Sequence, residues 1–243
     1  MWYMGGKIRQ SRAITEKLTR LHSDERTYIE PFCGALGCAE KAIPALAKAG
    51  IKNFILSDTS EALITMWRFV IAGWNPPSKV SEEEYAHHKS VRDPLDPMTA
   101  YCGFAMSFGG KWFAAFARSG DRTPRNQINQ RDATLRKADA IRPHNPVITC
   151  CDYTEYTGVE NALVYLDPPY EKRTKAHNFD GFSTTNFWAW AEVLSRRNCV
   201  IATGFEAPNN WETVHSWGHT VVHHNKNKVA SKVDERVFKF GGG

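Results

Sequence analysis

The sequence predicts an α/β protein: an open, largely parallel, Rossmann-like sheet built from both ends of the chain, with an inserted, mainly helical segment between them. Three observations predict it. A short apolar strand over residues 28–32 runs into a glycine-bearing turn and a helix. A second strand then ends on an acid and gives way to another helix, which is the strand–turn–helix–strand order of a doubly wound sheet. That order stops at Trp74-Asn75-Pro76-Pro77 and resumes only at Val147.

The elements follow in order. Ile8, Ile14, Leu18 and Leu21 lie near helical spacing behind a glycine turn. Residues 28–32 read as a strand, and Cys38 to Ala49 as a helix with Pro44 as an awkward interruption. Asn53 to Ser57 is a strand ending at Asp58, and Ser60 to Ala72 is a strongly apolar helix. Beyond Pro77, Ser81 to Ser90 reads as a capped helix, because Ser81 and Glu84 have capping-box spacing, and Arg92-Asp93-Pro94 ends it. A second helix covers Pro97 to Met106, followed by Phe108-Gly109-Gly110-Lys111-Trp112-Phe113 and a polar, basic stretch to Arg131. Strands return at Val147–Cys150 and Ala162–Leu166, then a helix over Thr185–Arg197 and a buried strand over Cys199–Ala202. Thr220–His223 and Arg236–Phe240 are candidate strands of the tail. The expected division is one α/β domain from residues 1–73 and 147–243, and an insert over 74–146.

Composition sets outer bounds. With 243 residues, 42% hydrophobic, the chain can build one core with an insertion. A net charge of +5 fits either ordinary solubility or an acidic partner such as nucleic acid. None of the six cysteines (33, 38, 102, 150, 151, 199) forms a C-x-x-C pair, so a zinc ribbon or dithiol site is not expected, and most read as small buried hydrophobes. With no leader-like start and no apolar run of membrane length, a reducing, cytoplasmic setting is expected.

The sharpest chemical signal is Asp167-Pro168-Pro169-Tyr170, directly after the apolar strand Ala162–Leu166. Ligands of such sheets bind beyond the carboxyl ends of the strands. An exocyclic amino nitrogen is a poor nucleophile because its lone pair is delocalised into the ring. A carboxylate and a fixed backbone carbonyl, the latter stiffened by proline, can accept its two hydrogens and favour a tetrahedral nitrogen. A tyrosine offers a flat face to an unstacked base. The competing reading is a strand-end turn in which the prolines only stop the strand. A second signal is Glu30-Pro31-Phe32-Cys33-Gly34-Ala35-Leu36-Gly37, where glycine allows close approach of backbone and ligand. A third is Asp58, placed either to bind ribose hydroxyls or to cap the helix that follows. The fourth is Cys151-Asp152-Tyr153, either a surface turn or a holder for an adenine ring.

In this order the motifs resemble the Dam-like adenine-N6 DNA methyltransferases, the alpha-group or D12 class. The resemblance begins at Tyr3-Met4-Gly5-Gly6-Lys7 and runs through the four signals above. It ends near Lys232-Val233-Asp234-Glu235-Arg236. The insert sits where that family keeps its target-recognition segment, and Phe108–Phe113 looks like phage-borne members. One departure is Leu36 in place of the second glycine of the family's F-x-G-x-G loop, which puts a role for Gly37 in doubt. The resemblance implies S-adenosylmethionine as cofactor and a Rossmann-like methyltransferase sheet. Tyr3 and Lys7 would flank the cofactor's methionine part, Phe32 and Gly34 would line its pocket, Asp58 would bind its ribose, and Asp152 with Tyr153 its adenine. Asp167 would bind the target amino group beside the cofactor, Pro168 and Pro169 would fix the loop, and Tyr170 would stack on a flipped adenine.

The insert reads as the DNA partner's surface. Lys111, Arg118, Arg122, Arg125, Arg131, Arg136 and Lys137 are concentrated there, interleaved with Trp112, Phe113 and Phe116. Cations track phosphates, while arginines and the amides Asn126, Gln127, Asn129 and Gln130 can read base edges; a solvated basic loop is the alternative. His223 and His224 lack a convincing ligand set, and no metal is expected. Methyl transfer to cytosine N4 or to an RNA base, and a non-catalytic DNA-binding relative, are the rival functions.

Overall fold

The structure is a computed structural model that describes residues 1, 3, 5–118, 120–169, 182–222 and 230–241. Its centre is a seven-stranded sheet of strands β1 (Thr27–Glu30), β2 (Asn53–Asp58), β3 (Val147–Cys150), β4 (Ala162–Leu166), β5 (Cys199–Gly204), β6 (Trp211–Val222) and β7 (Ala230–Phe240). Their spatial order is β3-β2-β1-β4-β5-β7-β6. The first five are parallel, and β7 enters antiparallel between β5 and β6. This is the open, largely parallel, Rossmann-like sheet that the sequence predicted. The chain winds outward from β1 to β3 and then returns to place β4 against β1, so the order reverses between β1 and β4. A crevice opens at such a switch point, beyond the carboxyl ends of the strands.

Alternation along the strands makes two cores. Tyr28, Leu163, Tyr165, Ile201 and Val237 face one side; Ile29, Val164, Leu166, Val200, Ala202 and Phe238 face the other. The first side is covered by α1 (Ser11–Leu21), α2 (Ala39–Lys48) and α3 (Glu61–Ile71), and the second by α7 (Thr184–Ser195). Pro44 stays inside α2, whose buried face of Ala39, Ala42, Ile43 and Leu46 offsets the hydrogen bond that proline cannot donate.

Residues 74–146 form α4 (Glu82–Val91), α5 (Pro97–Ala100) and α6 (Thr123–Ile141), and Val80, Tyr85, Tyr101, Phe113, Ala138 and Ile141 share the first core. The capping box of α4 is complete: Glu84 N–H donates to Ser81 Oγ (3.1 Å) and Ser81 N–H to Glu84 Oε2 (2.7 Å). Arg92 ends the helix in a left-handed conformation, φ 53°.

The expected second helix, Pro97–Met106, is corrected. Only Pro97–Ala100 is α-helical, and Tyr101–Ala105 widens into a π turn in which Met106 N–H reaches Tyr101 O at 3.2 Å. The Trp112 indole lies where a Cβ on Gly103 would stand, 2.4 Å from its Cζ3, so glycine is required there. The tail strands also exceed their expected lengths. Each was read as four or five residues, and they form a hairpin of 12 and 11 residues.

Candidate functional site

The carboxyl ends of β3, β2, β1 and β4 bring the predicted residues to one edge. Asp58 pairs with Cys150 in register, which sets it beside the Cys151-Asp152-Tyr153 turn, while the turn after Glu30 and Asp167 after Leu166 flank the switch point. β7 runs the other way. Its Arg236 pairs with Gly204 at the end of β5, so Glu235, midway along β7, arrives at the same edge.

Asp167 is held from two distant stretches of chain. Lys7 Nζ lies 2.6 Å from its Oδ1, and Thr203 Oγ1 on β5 donates to the same oxygen at 2.9 Å. Lys7 Nζ also lies 3.2 Å from Glu235 Oε1 and donates to Gly5 O at 3.3 Å, and Gln10 Nε2 donates to Glu235 Oε2 at 3.2 Å. Lys7 and Glu235 are each 5% exposed. Below them Glu30 is buried, with Tyr28 Oη donating to its Oε2 at 2.8 Å. Burial pushes its carboxyl up to about 8, and the charge of Asp167 adds to the rise. Thr203 lies just beyond the strand expected over Cys199–Ala202 and carries no sequence signal as a site residue. Glu30 opens the second signal and Glu235 belongs to the closing motif, neither with an assigned task.

The glycine turn is packed rather than open. A Cβ on Gly34 (φ 47°) would stand 3.3 Å from Cε1 of Tyr3, and one on Gly37 would stand 3.1 Å from Lys7 N, so both glycines admit the N-terminal motif. That gives Gly37 a concrete role despite the altered loop. Leu36 adopts φ 55° in the second glycine's place and is fully buried. Gly34 N–H donates to Asp58 Oδ2 at 3.0 Å, and Trp67 Nε1 donates to Gly34 O at 3.1 Å. Burial raises the Tyr3 phenol well above its ordinary value, with Asp58, Cys33 and Asp167 adding to the rise.

Asp58 also accepts Ser60 N–H at 3.0 Å, so both readings of this acid meet in one side chain: it braces the start of α3 and faces the glycine turn. Burial raises its carboxyl, and the backbone donors Ser60, Gly34 and Thr59 oppose that. Asp152 is exposed and caps the turn Tyr153–Tyr156 through Thr154 N–H at 3.0 Å. A carboxylate has about four lone-pair directions, so either acid can accept a ribose hydroxyl while keeping these bonds. Phe32 and Tyr153 stand together with ring centroids 5.4 Å apart, and half-buried Phe182 and Trp190 complete an aromatic wall backed by buried Phe187. Packed glycine turn, acids at two strand ends and aromatic wall form a set that fits S-adenosylmethionine. Pro168 is buried and Pro169 partly so; Tyr170 lies outside the described residues, as do His223 and His224.

The insert separates into two groups. Lys111, Arg118, Arg122, Arg125 and Asn126 are exposed. Arg118 makes a two-pronged ion pair with Glu82. Trp112 is half-buried against Phe104, 4.7 Å between centroids, and Arg131 ties α6 to Asn75 Oδ1 and Pro76 O, both at 3.1 Å. Arg136 pairs with Glu40, and buried Lys137 donates to Ala35 O of the glycine turn. Gln127 is a correction. Its amide is buried and committed at both ends to Val80, accepting N–H at 3.1 Å and donating to O at 3.0 Å, so it cannot read a base edge.

Among the described residues no helix is long and apolar enough to cross a membrane. Residues 113–212 match the family model of the D12 class N6 adenine-specific DNA methyltransferases. No curated protein matches the chain. Among solved structures it is similar to the rRNA methyltransferase aviRa from Streptomyces viridochromogenes, at 10% identity over 96% of this chain and 84% of that one, TM-score 0.45. It is also similar to the precorrin-6y C5,15-methyltransferase from Geobacter metallireducens, at 9% identity over 94% and 86%, TM-score 0.39.

Proposed function

We propose that the chain, whose residues 113–212 match the family model of the D12 class N6 adenine-specific DNA methyltransferases, is a methyltransferase of that class and methylates adenine N6 in DNA. The observation that carries this reading is the fixed carboxylate of Asp167 at the switch point, held through one oxygen by Lys7 and Thr203. S-adenosylmethionine, when bound, would supply a methyl group made electrophilic by its sulfonium. The protein's tasks are positioning and electrostatics, with no covalent enzyme intermediate. Asp167 accepts an amino hydrogen and faces the positive charge that grows on the nitrogen before its extra proton leaves to solvent. Pro168 and Pro169 hold the backbone that presents the second acceptor. Tyr170 stacks on the flipped base.

In the same reading Tyr3, Lys7, Phe32, Gly34, Asp58, Asp152 and Tyr153 hold the cofactor. Residues 1–73 and 147–243 are the catalytic unit, and 74–146 the DNA-recognition segment, with Lys111, Arg118, Arg122, Arg125 and Asn126 on its exposed face. Trp112 and Arg131 support that face from beneath. Expression in a host lacking DNA methylation, followed by nucleoside digestion, tests the proposal. N6-methyladenine in DNA is expected. N4-methylcytosine, or methylation of RNA alone, would transfer the same site to a different amino group; unmodified nucleic acid with intact cofactor binding would leave a DNA-binding relative.

A further inference from the structure

We infer that Glu235, on the antiparallel strand β7, is a positioning residue that keeps Lys7 from neutralising Asp167 and so preserves negative charge at the acceptor nitrogen. The inference rests on the proposed reaction and concerns a residue that the reaction does not touch. Three distances carry it: Lys7 Nζ to Asp167 Oδ1 at 2.6 Å, Lys7 Nζ to Glu235 Oε1 at 3.2 Å, and Gln10 Nε2 to Glu235 Oε2 at 3.2 Å. One ammonium is therefore shared by two carboxylates, and Gln10 fixes the second of them. Lys7 and Glu235 are buried and Asp167 is partly so, and charges out of water interact more strongly than in it. Glu30 does not substitute for Glu235, because its carboxyl, pushed up to about 8, is protonated at neutral pH.

The consequence is specific to the transition state. The amino group is neutral when it binds and gains positive charge as the methyl group arrives. A carboxylate that shares its cation with a second carboxylate stabilises that growing charge more than it stabilises the neutral base. Loss of the Glu235 charge gives Lys7 wholly to Asp167, and the penalty falls on the chemical step while DNA affinity stays. The sulfonium of S-adenosylmethionine is also positive and, to deliver its methyl group to the amino nitrogen, would have to stand close to the same carboxylate. The same charge therefore favours S-adenosylmethionine over its neutral product, S-adenosylhomocysteine.

The experiment compares full-length wild type, E235Q and E235D. Single-turnover methylation is measured at saturating cofactor and DNA, and calorimetric affinities are measured for S-adenosylmethionine and S-adenosylhomocysteine. In E235Q the rate is expected to fall by about tenfold or more, the scale of removing one electrostatic contact to a developing charge. DNA affinity stays within about twofold, and the preference for the charged cofactor over the neutral product shrinks. E235D keeps the charge and is expected within about threefold of wild type in both readouts. An E235Q rate equal to wild type overturns the inference, as does a folded E235D as slow as E235Q. If E235Q does not fold, E235D decides alone: a tenfold loss in the folded aspartate variant overturns the inference, and near-wild-type behaviour in both readouts supports it. A wild type that binds cofactor but methylates no adenine fails differently, since it removes the proposed reaction and this inference with it.

Discussion

At the carboxyl edge of the sheet, Lys7, Asp167, Glu235 and Thr203 come from four separate stretches of chain and interlock through distances of 2.6–3.2 Å. On the outer face of residues 74–146, Lys111, Arg122 and Arg125 project into solvent. The two regions share one hydrophobic core, so the difference is not one of foldedness. In the proposed reaction it follows from what each surface would meet. A reacting nitrogen is small and changes charge during the reaction, so its partner must be fixed and dry. A phosphate backbone is long, uniformly charged and screened by salt, and mobile exposed cations serve it. Substitutions at the edge should therefore act steeply and singly, and those on the insert gently and additively.

The largest effect should fall on Asp167. Asp167→Ala removes the proposed acceptor of the amino hydrogen, and the single-turnover rate should drop by about 10³-fold or more, on the order of 4 kcal/mol of transition-state stabilisation. DNA binding should persist, since only a negative charge near the nucleic acid is lost. Tyr170→Phe keeps the ring face and should retain much of the rate, while Tyr170→Ala should lose about 1–3 kcal/mol of base capture. A methylating Asp167→Ala protein would end the catalytic reading.

Next in size is a pH effect confined to the buried edge. Glu30 has a folded pKa of about 8 against an ordinary value of 4.5. Between those values the folded state holds more protons than the unfolded one, so the stability of folding declines as pH rises from 4.5 to 8. Glu30→Gln cannot titrate and still accepts from the Tyr28 hydroxyl. Its melting temperature, compared with wild type over pH 5 to 8.5, should differ least at the acid end, gain on wild type steadily as pH rises, and level off above about pH 8. Parallel melting curves across the series would remove Glu30 as the source.

A smaller loss is expected at Gln127, whose side chain satisfies both polar groups of the Val80 backbone. Gln127→Ala leaves a buried N–H and C=O unpaired and should cost about 1–3 kcal/mol of stability. Affinity for DNA should be unchanged once the variant is folded. Chemical denaturation and a binding titration on the same preparation check both halves, and selective weakening of DNA binding would return Gln127 to the recognition surface.

These contrasts also explain what the sequence made legible. Strand–turn–helix order and the tetrapeptide at residues 167–170 are local patterns, so the parallel core and Asp167 were readable. Strand pairing is not local. Nothing near Glu235 announces that an antiparallel β7 will deliver it to Lys7, 228 positions away. Nor does anything near Gln127 announce that Val80 will claim its amide. The insert's charge was visible in composition. Which cations face outward depended on α6 packing, which buries Lys137 and ties down Arg131 while leaving Arg122 and Arg125 exposed. The π turn at 101–105 and the long tail hairpin escaped for the same reason, since tertiary contacts set both.

The smallest effect separates arginines that look equivalent in sequence. Arg118 is engaged by Glu82 through both a 2.6 Å bond and a second contact to the other oxygen, and the pair is solvent-exposed. To reach a phosphate, Arg118 must release Glu82, and the freed carboxylate then repels the same phosphate. Arg125 is exposed on the first turns of α6 and needs no such exchange if it meets the backbone. Each phosphate contact adds about 0.9 to the slope of log affinity against log salt for duplex DNA. Arg125→Ala should therefore flatten the slope by about one unit, and Arg118→Ala by clearly less. Glu82→Gln should move the other way and raise DNA affinity slightly at low salt, an effect that fades as salt screens the carboxylate. Binding isotherms for the three variants from 50 to 200 mM salt, a range in which the counterion effect is large, resolve the order. Equal flattening by Arg118→Ala and Arg125→Ala would mean that Glu82 does not hold Arg118 back from DNA, and an unchanged slope in both would put the phosphate track on another face of the protein.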